Sequence, residues 1–290
     1  MNYTFLGAQR GSDNVVTSPN VLVYGMPDSS HSIASSDASN GPELIRIASN
    51  EISDCGVPSE GIFSRRTEKV LCAGINFYDC GNIDFPHSRL DFLALRSRIV
   101  KNVPSLNVFL LGDDACNFPI FLGGKGILIH FDAHDDRGNS RPSLNHGNFL
   151  RHLINFSPNL SIVQIGLREM LHPKFKPVHS NRVYHPVSIK DLDNLLSLFP
   201  KRTPCTVCID CDVFDSAFVS DVTCPQPFGL TADEFIQYFS VICNHELPIQ
   251  NISLSEFSPK RILDVKSCTQ ALGLCELLLT IIDMSVSRGL

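Results

Sequence analysis

Short apolar runs alternate with amphipathic segments along most of this chain. The runs predict strands at residues 20–24, 70–76, 107–111, 127–132, 161–167, 206–212 and 251–256. The amphipathic segments predict helices from about Pro42 and at residues 90–100, 146–154, 189–198, 232–244 and 269–284. Strands that are apolar on both faces and separated by helices indicate a parallel sheet covered on both sides. We therefore predict the α/β class, with a single three-layer domain built on a mainly parallel sheet with helices on both faces.

Two of the predicted strands end in potential metal ligands. These side chains lie at the tips of apolar runs, where Asp132, His134 and Asp136 follow the first run and Asp210 and Asp212 follow the second. Because successive side chains alternate between strand faces, each set points to one side. A single aspartate there would be an ordinary turn residue. Two strands that end in this way predict a metal pocket at the carboxyl ends of the sheet.

The types of residue indicate which cation such a pocket would hold. Closely spaced carboxylates repel each other, and they remain ionised only when a cation offsets their charge. Oxygen-rich sites with an imidazole suit manganese or another divalent ion, whereas structural zinc prefers thiolates. Carboxylates from both strands can bridge two ions, and a pair of ions lowers the pKa of a water held between them. We therefore expect two Mn²⁺ ions, with another divalent metal as the alternative.

Several motifs resemble, in the same order, those of the ureohydrolase superfamily of arginases, agmatinases and formiminoglutamases. Residues 130–136, His-Phe-Asp-Ala-His-Asp-Asp, are similar to its Asp-Ala-His-x-Asp signature, and residues 208–215 to its Ser-x-Asp-x-Asp-x-x-Asp signature. Shorter matches are Gly-Pro-Glu-Leu-Ile-Arg at 41–46, His-Gly at 146–147, Pro-Gln-Pro-Phe-Gly-Leu-Thr at 225–231 and Ser-Glu-Phe-Ser-Pro at 255–259. The resemblance implies an arginase-like catalytic domain at residues 19–290, after an N-terminal arm at residues 1–18.

The resemblance also implies a reaction and a role for each matched residue. The reaction would be hydrolysis of a guanidino group with release of urea, as in the conversion of arginine to ornithine. Asp136 would accept a proton from the attacking water, His146 would pass a proton to the leaving amine, and Glu256 would bind the guanidinium. The implied metal ligands are Asp114, Asp132, His134, Asp136, Asp210 and Asp212.

One motif departs from the family pattern. The family usually has Gly-Gly-Asp-His-Ser, whose His is a ligand of the first metal, whereas residues 111–115 are Leu-Gly-Asp-Asp-Ala. Asp114 could replace that His, the first site could be weak, or the site could be mononuclear. We favour Asp114 as a substitute ligand, because carboxylates bind manganese. In the opposing interpretation, Asp113 caps the next turn and Asp114 points to solvent.

Three other side chains have plausible structural roles. His146 could cap the helix that follows it, and Glu256 could form a surface ion pair with Lys260 or Arg261; the motif matches favour catalysis for both. His130 lies deeper on the strand that carries Asp132. It could bind metal or support the ligands, and we favour support of the ligands.

Composition excludes several classes of protein. The net charge is −6 at 290 residues, and the longest basic blocks are pairs, which argues against a nucleic-acid partner. The N-terminus lacks the apolar centre of a signal peptide, and no apolar run approaches membrane-spanning length, so we expect a cytoplasmic protein without membrane contact. The spacing of Cys205, Cys208 and Cys211 puts Cys208 on the opposite strand face, which predicts buried thiols rather than a metal site.

The substrate depends on the loop between the Asp-rich and His-Gly motifs. In the resembling arginases, this loop holds the α-carboxylate and α-amino group of free arginine. Here it spans residues 137–145, shorter than the arginase form and nearer the agmatinase form. A short loop favours agmatine or an arginine side chain within a peptide, and we lean towards the peptide. The alternatives are an agmatinase, a formimino-compound hydrolase and a non-catalytic metal-binding protein. A homo-oligomer is also expected.

Overall fold

A computed structural model of the chain describes residues 3–10, 20–53, 60–100, 106–138, 142–170, 180–262 and 264–289. Its strands are β1 (Gln9–Arg10), β2 (Asn20–Met26), β3 (Ile62–Ser64), β4 (Lys69–Leu71), β5 (Asn76–Asn82), β6 (Leu106–Leu111), β7 (Gly126–Phe131), β8 (Leu160–Ile165), β9 (Val183–Tyr184), β10 (Cys205–Asp210) and β11 (Ile249–Ser255). Its helices are α1 (Gly41–Ile52), α2 (Arg89–Val100), α3 (Asn117–Phe121), α4 (Phe149–Phe156), α5 (Ile189–Leu196), α6 (Ala232–Asn244) and α7 (Val265–Gly289).

A parallel sheet forms the centre of the described chain. Its nine strands follow the order β1-β5-β2-β6-β11-β10-β7-β8-β9, and β3 and β4 form a separate antiparallel hairpin. Helices α1, α5, α6 and α7 pack on one face, and α2, α3 and α4 pack on the other. The predicted three-layer α/β fold is therefore confirmed.

Alternate residues of the central strands fill the two cores on either side of the sheet. In β10, Val207 and Ile209 belong to the core beneath α5, α6 and α7, whereas Cys208 belongs to the core beneath α4. Cys205 and Cys211 lie in the same core as Val207. The three cysteines therefore cannot converge on one ion, as their spacing predicts.

The predicted strand at residues 70–76 is wrong. Strand β4 ends at Leu71 and β5 begins at Asn76, so a turn occupies the middle of that stretch. Cys72 has φ 58° and Gly74 has φ 72°. Left-handed backbone of this kind cannot continue a strand, and apolar character alone does not reveal it.

Part of the predicted N-terminal arm packs against the domain. Phe5 and Leu6 are fully buried, and β1 pairs in parallel with β5. The backbone N–H of Phe5 donates a 2.8 Å hydrogen bond to Asp79. Residues 3–10 therefore belong to the edge of the sheet, while the predicted boundary at residue 18 lies outside the described residues.

Helix α7 is longer than the helix expected at residues 269–284. By length and apolar composition, its stretch Val265–Ser287 could cross a membrane, which the sequence interpretation did not anticipate. Most of that stretch is buried inside the protein, where it packs on α1 and α6. Burial of this kind is typical of a core helix.

A buried ion pair joins α1 to β5. Arg46 donates hydrogen bonds of 2.7 Å and 3.0 Å to the two carboxylate oxygens of Asp79. Asp79 also accepts the Phe5 N–H and the Gly81 N–H. The Asp79 carboxylate thus connects helix α1, strand β5 and the N-terminal segment.

Replacing Asp79 by Asn should lower the free energy of unfolding by about 3–5 kcal/mol, because it leaves the Arg46 charge buried without its partner. The exposed pair Lys201–Glu246 provides the control, and Glu246→Gln should cost less than about 1 kcal/mol. Denaturant titration of both variants measures the difference. Equal losses in the two variants would show that the buried pair does not anchor this part of the fold.

Candidate metal centre

Four neighbouring strands deliver the predicted site residues to one edge of the sheet. Strands β6, β11, β10 and β7 lie side by side and run in parallel. Their carboxyl ends therefore meet. The segments that leave these ends carry Asp113 and Asp114, then Glu256, then Asp210 and Asp212, and then Asp132, His134 and Asp136.

Four side chains form what we call the first group: Asp114, His130, Asp132 and Asp136. One ligand atom from each lies within 4.8 Å of the others. Asp114, His130 and Asp132 are buried, and Asp136 is partly buried. Asp132 Oδ2 accepts no hydrogen bond within the described residues, although it is buried.

The second group consists of Asp132, His134 and Asp212. The Nδ1 atom of His134 lies 2.8 Å from Asp212 Oδ2 and 3.5 Å from Asp132 Oδ1. The other ring nitrogen of His134, Nε2, lies 3.1 Å from the side-chain amide of Gln226. Asp132 belongs to both groups, so its carboxylate is placed to bridge them. Gln226 had no signal in the sequence beyond its position within the matched loop.

Asp210 lies beside these groups without joining either. It is buried, and its Oδ1 accepts a 2.7 Å hydrogen bond from the Asp212 N–H. Burial raises the pKa of Asp210 well above its ordinary value, and the charges of Asp212 and Asp132 raise it further. Asp210 is thus close to the other carboxylates, as expected of a ligand, but its hydrogen bond is with the backbone of Asp212.

Asp114 points into the protein rather than to solvent. Asp113 does cap the following turn, since its side chain accepts the Ala115 N–H. Asp114 is nevertheless buried, and its Oδ1 accepts hydrogen bonds from Ser255 Oγ and, at 3.1 Å, from Asn117 Nδ2. Of the opposing interpretation, the cap by Asp113 is present, whereas Asp114 does not point to solvent.

Glu256 and His146 form a pair next to the first group. His146 Nδ1 lies 3.3 Å from Glu256 Oε1, which also accepts a 3.0 Å hydrogen bond from the Asp114 N–H. Glu256 is buried, which is inconsistent with a surface ion pair to Lys260 or Arg261. Capping of the turn at His146–Asn148 falls to Asn145, whose N–H donates to the Asn148 side chain. The His146 ring is therefore available to Glu256.

Two of the predicted catalytic residues have unusual backbone angles. Asp136 has φ 48° and Glu256 has φ 60°. For residues other than glycine, this left-handed region costs roughly 1–2 kcal/mol. Such conformations persist where the surroundings hold them, and they concentrate at functional sites.

A further group of potential ligands lies at the rim: Asp28, His31 and Asp113. The sequence interpretation did not single out Asp28 or His31. The His31 N–H donates to Asp113 Oδ2, and the His31 carbonyl accepts the His146 N–H. Burial raises the pKa of Asp113 to about 7, with a contribution from the charge of Glu256. These contacts position the segment that carries His146.

The electrostatics of both groups indicate a missing positive charge. Burial raises the pKa of Asp132 to about 7, the Asp212 charge adds to this, and burial raises the pKa of Asp136 well above its usual value. Burial alone would lower the pKa of His134, but hydrogen bonds to Asp132 and Asp212 outweigh it and raise that pKa to about 11. Within the described residues, the ion pairs of these carboxylates are with histidines.

The donor set fits a divalent metal. Several buried carboxylates that repel each other, with one oxygen left without a hydrogen bond at Asp132, would be neutralised by a cation. Carboxylates and imidazoles are ligands of manganese and similar ions. The two groups can therefore bind metal, and the shared Asp132 would connect two ions.

Comparisons with known proteins indicate a family for this chain. A sequence model of the arginase family matches residues 19–281. The agmatinase of Serratia proteamaculans (strain 568) is 26% identical over 229 residues, which cover 74% of this chain and 72% of that protein.

Solved structures share the fold. Formimidoylglutamase from Bacillus subtilis subsp. subtilis str. 168 has a TM-score of 0.77 at 19% identity, with 98% of this chain and 92% of that chain covered. Proclavaminate amidino hydrolase from Streptomyces clavuligerus has a TM-score of 0.72 at 21% identity, with 98% of each chain covered.

Without metal, the wild-type protein should lose stability relative to Asp132→Asn as the pH rises from about 4 to about 7. The pKa of Asp132 is about 7 in the folded chain and 3.8 ordinarily, so in this interval the folded state binds more protons than the unfolded state. Removing those protons by raising the pH therefore costs stability. Denaturant titrations in EDTA at several pH values measure the difference.

The increase in Tm produced by manganese should grow over the same pH interval in the wild-type protein, because metal replaces protons on the ligands. A stability difference between wild type and Asp132→Asn that does not change with pH would contradict the assignment of a buried, proton-binding Asp132.

Proposed function

This chain belongs to the arginase family, whose members are hydrolases acting on guanidino or amidino groups, and we propose that it hydrolyses a guanidino group to urea and an amine. The observation that carries the proposal is one oxygen atom. Glu256 Oε2 is buried and has no hydrogen-bond partner within the described residues.

A buried carboxylate oxygen without a donor is costly. The guanidinium group is planar and cationic and carries several N–H donors, so it can satisfy that oxygen with charge-assisted hydrogen bonds. The other oxygen, Oε1, is already held by the Asp114 N–H and faces His146. Glu256 is therefore fixed in place with one oxygen left for a ligand beside the first group.

The proposed cofactor is a pair of Mn²⁺ ions. Asp114, Asp132, Asp136 and Asp210 would hold the first ion, and Asp132, His134, Asp210 and Asp212 the second. When bound, the ions would lower the pKa of a water for attack on the guanidinium carbon. The matched motifs and the two groups of ligand atoms support this arrangement.

The remaining steps use side chains of this chain. Asp136, within the first group, accepts a proton from the attacking water, and His146 delivers a proton to the leaving amine nitrogen. The pair His146–Glu256, separated by 3.3 Å, orients the ring towards that nitrogen. One water is consumed, the bond from the guanidinium carbon to the substituted nitrogen breaks, and urea and an alkylammonium ion leave.

The proposed substrate is of the arginine type, which gives ornithine as the second product. The short loop at residues 137–145 supports access for an arginine side chain within a peptide, although residues 139–141 lie outside the described residues. Agmatine is the second candidate, because the relative from Serratia proteamaculans is an agmatinase.

A urea-release assay with manganese tests the proposal and selects among the substrates. Free arginine, agmatine and arginine-containing peptides serve as substrates, and N-formimino compounds serve as the contrasting class. Urea from any guanidino compound supports the proposal. Formamide from a formimino compound alone, or no product from a metal-loaded protein, would overturn it.

Glu256→Gln should lower kcat/KM by about 30-fold or more, since it removes a buried charge that pairs with the guanidinium. The matched control is Glu276→Gln. Glu276 lies away from the site and accepts hydrogen bonds from Ser64 and Arg66. This control should retain activity. Unchanged turnover in Glu256→Gln would remove Glu256 from the proposed mechanism.

Asp114→Ala should lose roughly one manganese equivalent per chain and most of the rate, whereas Asp114→His should retain metal and some activity, because both carboxylate and imidazole bind manganese. Elemental analysis after incubation with manganese and gel filtration gives the count. Cys205→Ser is the control and should keep its metal. Full metal content and normal turnover in Asp114→Ala would show that the first site is built without Asp114.

A further inference from the structure

We propose that His130 is a ligand of the first metal ion, and that it supplies the imidazole absent from residues 111–115. This inference rests on the proposed function, because it concerns the same metal site. It reverses the preference of the sequence interpretation, which left both roles open for His130 and favoured support of the ligands.

The ring nitrogen of His130 lies at a distance from two carboxylates that suits a shared metal ion. His130 Nε2 lies 3.3 Å from Asp114 Oδ2 and 3.3 Å from Asp132 Oδ2. Two ligands that bind one ion at a right angle, with bonds of about 2.1 Å, lie roughly 3 Å apart. The contact with Asp114 is a long hydrogen bond, since N–H···O hydrogen bonds centre at about 2.9–3.0 Å, and one N–H cannot point at both oxygens.

The hydrogen bonds of the neighbouring carboxylates leave an oxygen for metal. Asp132 Oδ2 accepts no hydrogen bond within the described residues, despite its distance to His130. Asp114 Oδ1 accepts hydrogen bonds from Ser255 and Asn117, whereas Asp114 Oδ2 lies on the side of His130. A nitrogen and two carboxylate oxygens thus face a common point, and Asp136 completes the group.

The strand and a neighbouring aromatic ring hold the His130 ring towards the first group. His130 is fully buried on β7, two residues before Asp132, so both side chains leave the same strand face. The Phe149 ring packs edge-on against it, with ring centroids 5.3 Å apart and an interplanar angle of 78°. Packing thus holds the imidazole beneath the carboxylates, while its other nitrogen, Nδ1, has no hydrogen-bond partner within the described residues.

The chemistry of the set favours an imidazole. Without His130, the first group contains only carboxylates, each of which adds negative charge. A neutral nitrogen donor adds a ligand without adding repulsion, and it shifts the preference from magnesium or calcium towards manganese and other transition metals.

Pulsed EPR of bound Mn²⁺ tests the inference directly, because nitrogen bonded to the ion gives a resolved ¹⁴N coupling. His134→Gln removes the other imidazole of the two groups. We expect ¹⁴N coupling to persist in His134→Gln and to disappear in the double variant His130→Gln, His134→Gln. His245→Gln, at an exposed Asp193 contact, is the control and should match the wild type. Manganese bound to His134→Gln without ¹⁴N coupling would overturn the inference.

Metal counting provides the second measurement. His130→Gln should lose roughly one equivalent, and adding Asp114→His to that variant should restore it, since an imidazole returns to the first group. Circular dichroism confirms that each variant is folded. Two tightly bound ions and an unchanged ¹⁴N signal in His130→Gln would also overturn the inference. The proposed function fails separately, if the wild type binds two ions with ¹⁴N coupling but releases no urea.

Discussion

Mutual repulsion of buried carboxyl groups is the constraint on which this protein depends. Strands β6, β11, β10 and β7 run in the same direction, so every acidic residue that follows them arrives at one edge. Burial raises the pKa values of Asp132, Asp136 and Asp210, and the charges of the neighbouring carboxylates raise them further. A sheet packed on both faces resists the rearrangement that would separate them. Protons can relieve the repulsion below about pH 7, the pKa of Asp132, and a bound cation relieves it when those protons are lost.

A second layer of polar residues holds the acidic residues in place. Asn117 connects Ser253 to Asp114, with hydrogen bonds of 2.7 Å and 3.1 Å. Gln226 contacts the ring nitrogen of His134 that faces away from the second group. Contacts of this kind fix the direction of a ligand side chain, and their loss commonly weakens metal binding. The site therefore extends beyond the residues that would touch an ion.

Sequence patterns predicted six strands of the sheet and brought the candidate ligands to one edge, because both follow from local rules. The strands that they predicted are β2, β6, β7, β8, β10 and β11, whereas β1, β5 and β9 were missed. The ends of β7 and β10 bring Asp132 and Asp212 to the same edge of the sheet, and alternation along β10 places Cys205 and Cys208 on opposite faces. Local rules fail where distant segments decide the outcome. The turn at Cys72 depends on backbone angles that apolar character does not encode.

Other outcomes depended on contacts between strands that are far apart in sequence. His130 becomes a candidate ligand only once its nitrogen is seen beside Asp114, a residue that follows a different strand, β6. The burial of Phe5 depends on Asp79, more than seventy residues away. Neither contact has a signature in a single sequence.

The two-residue strand β1 limits how many backbone groups the sheet edge exposes. Open sheet edges offer unpaired backbone groups to other chains, and short edge strands limit the number of groups on offer. Here β1 and β9, two residues each, close the two edges. Detachment of residues 3–10 would leave the longer β5 as the edge, with the buried surface of Phe5 uncovered at the same time. Pairing of the N-terminal segment therefore keeps the longer edge of β5 and the surface under Phe5 covered.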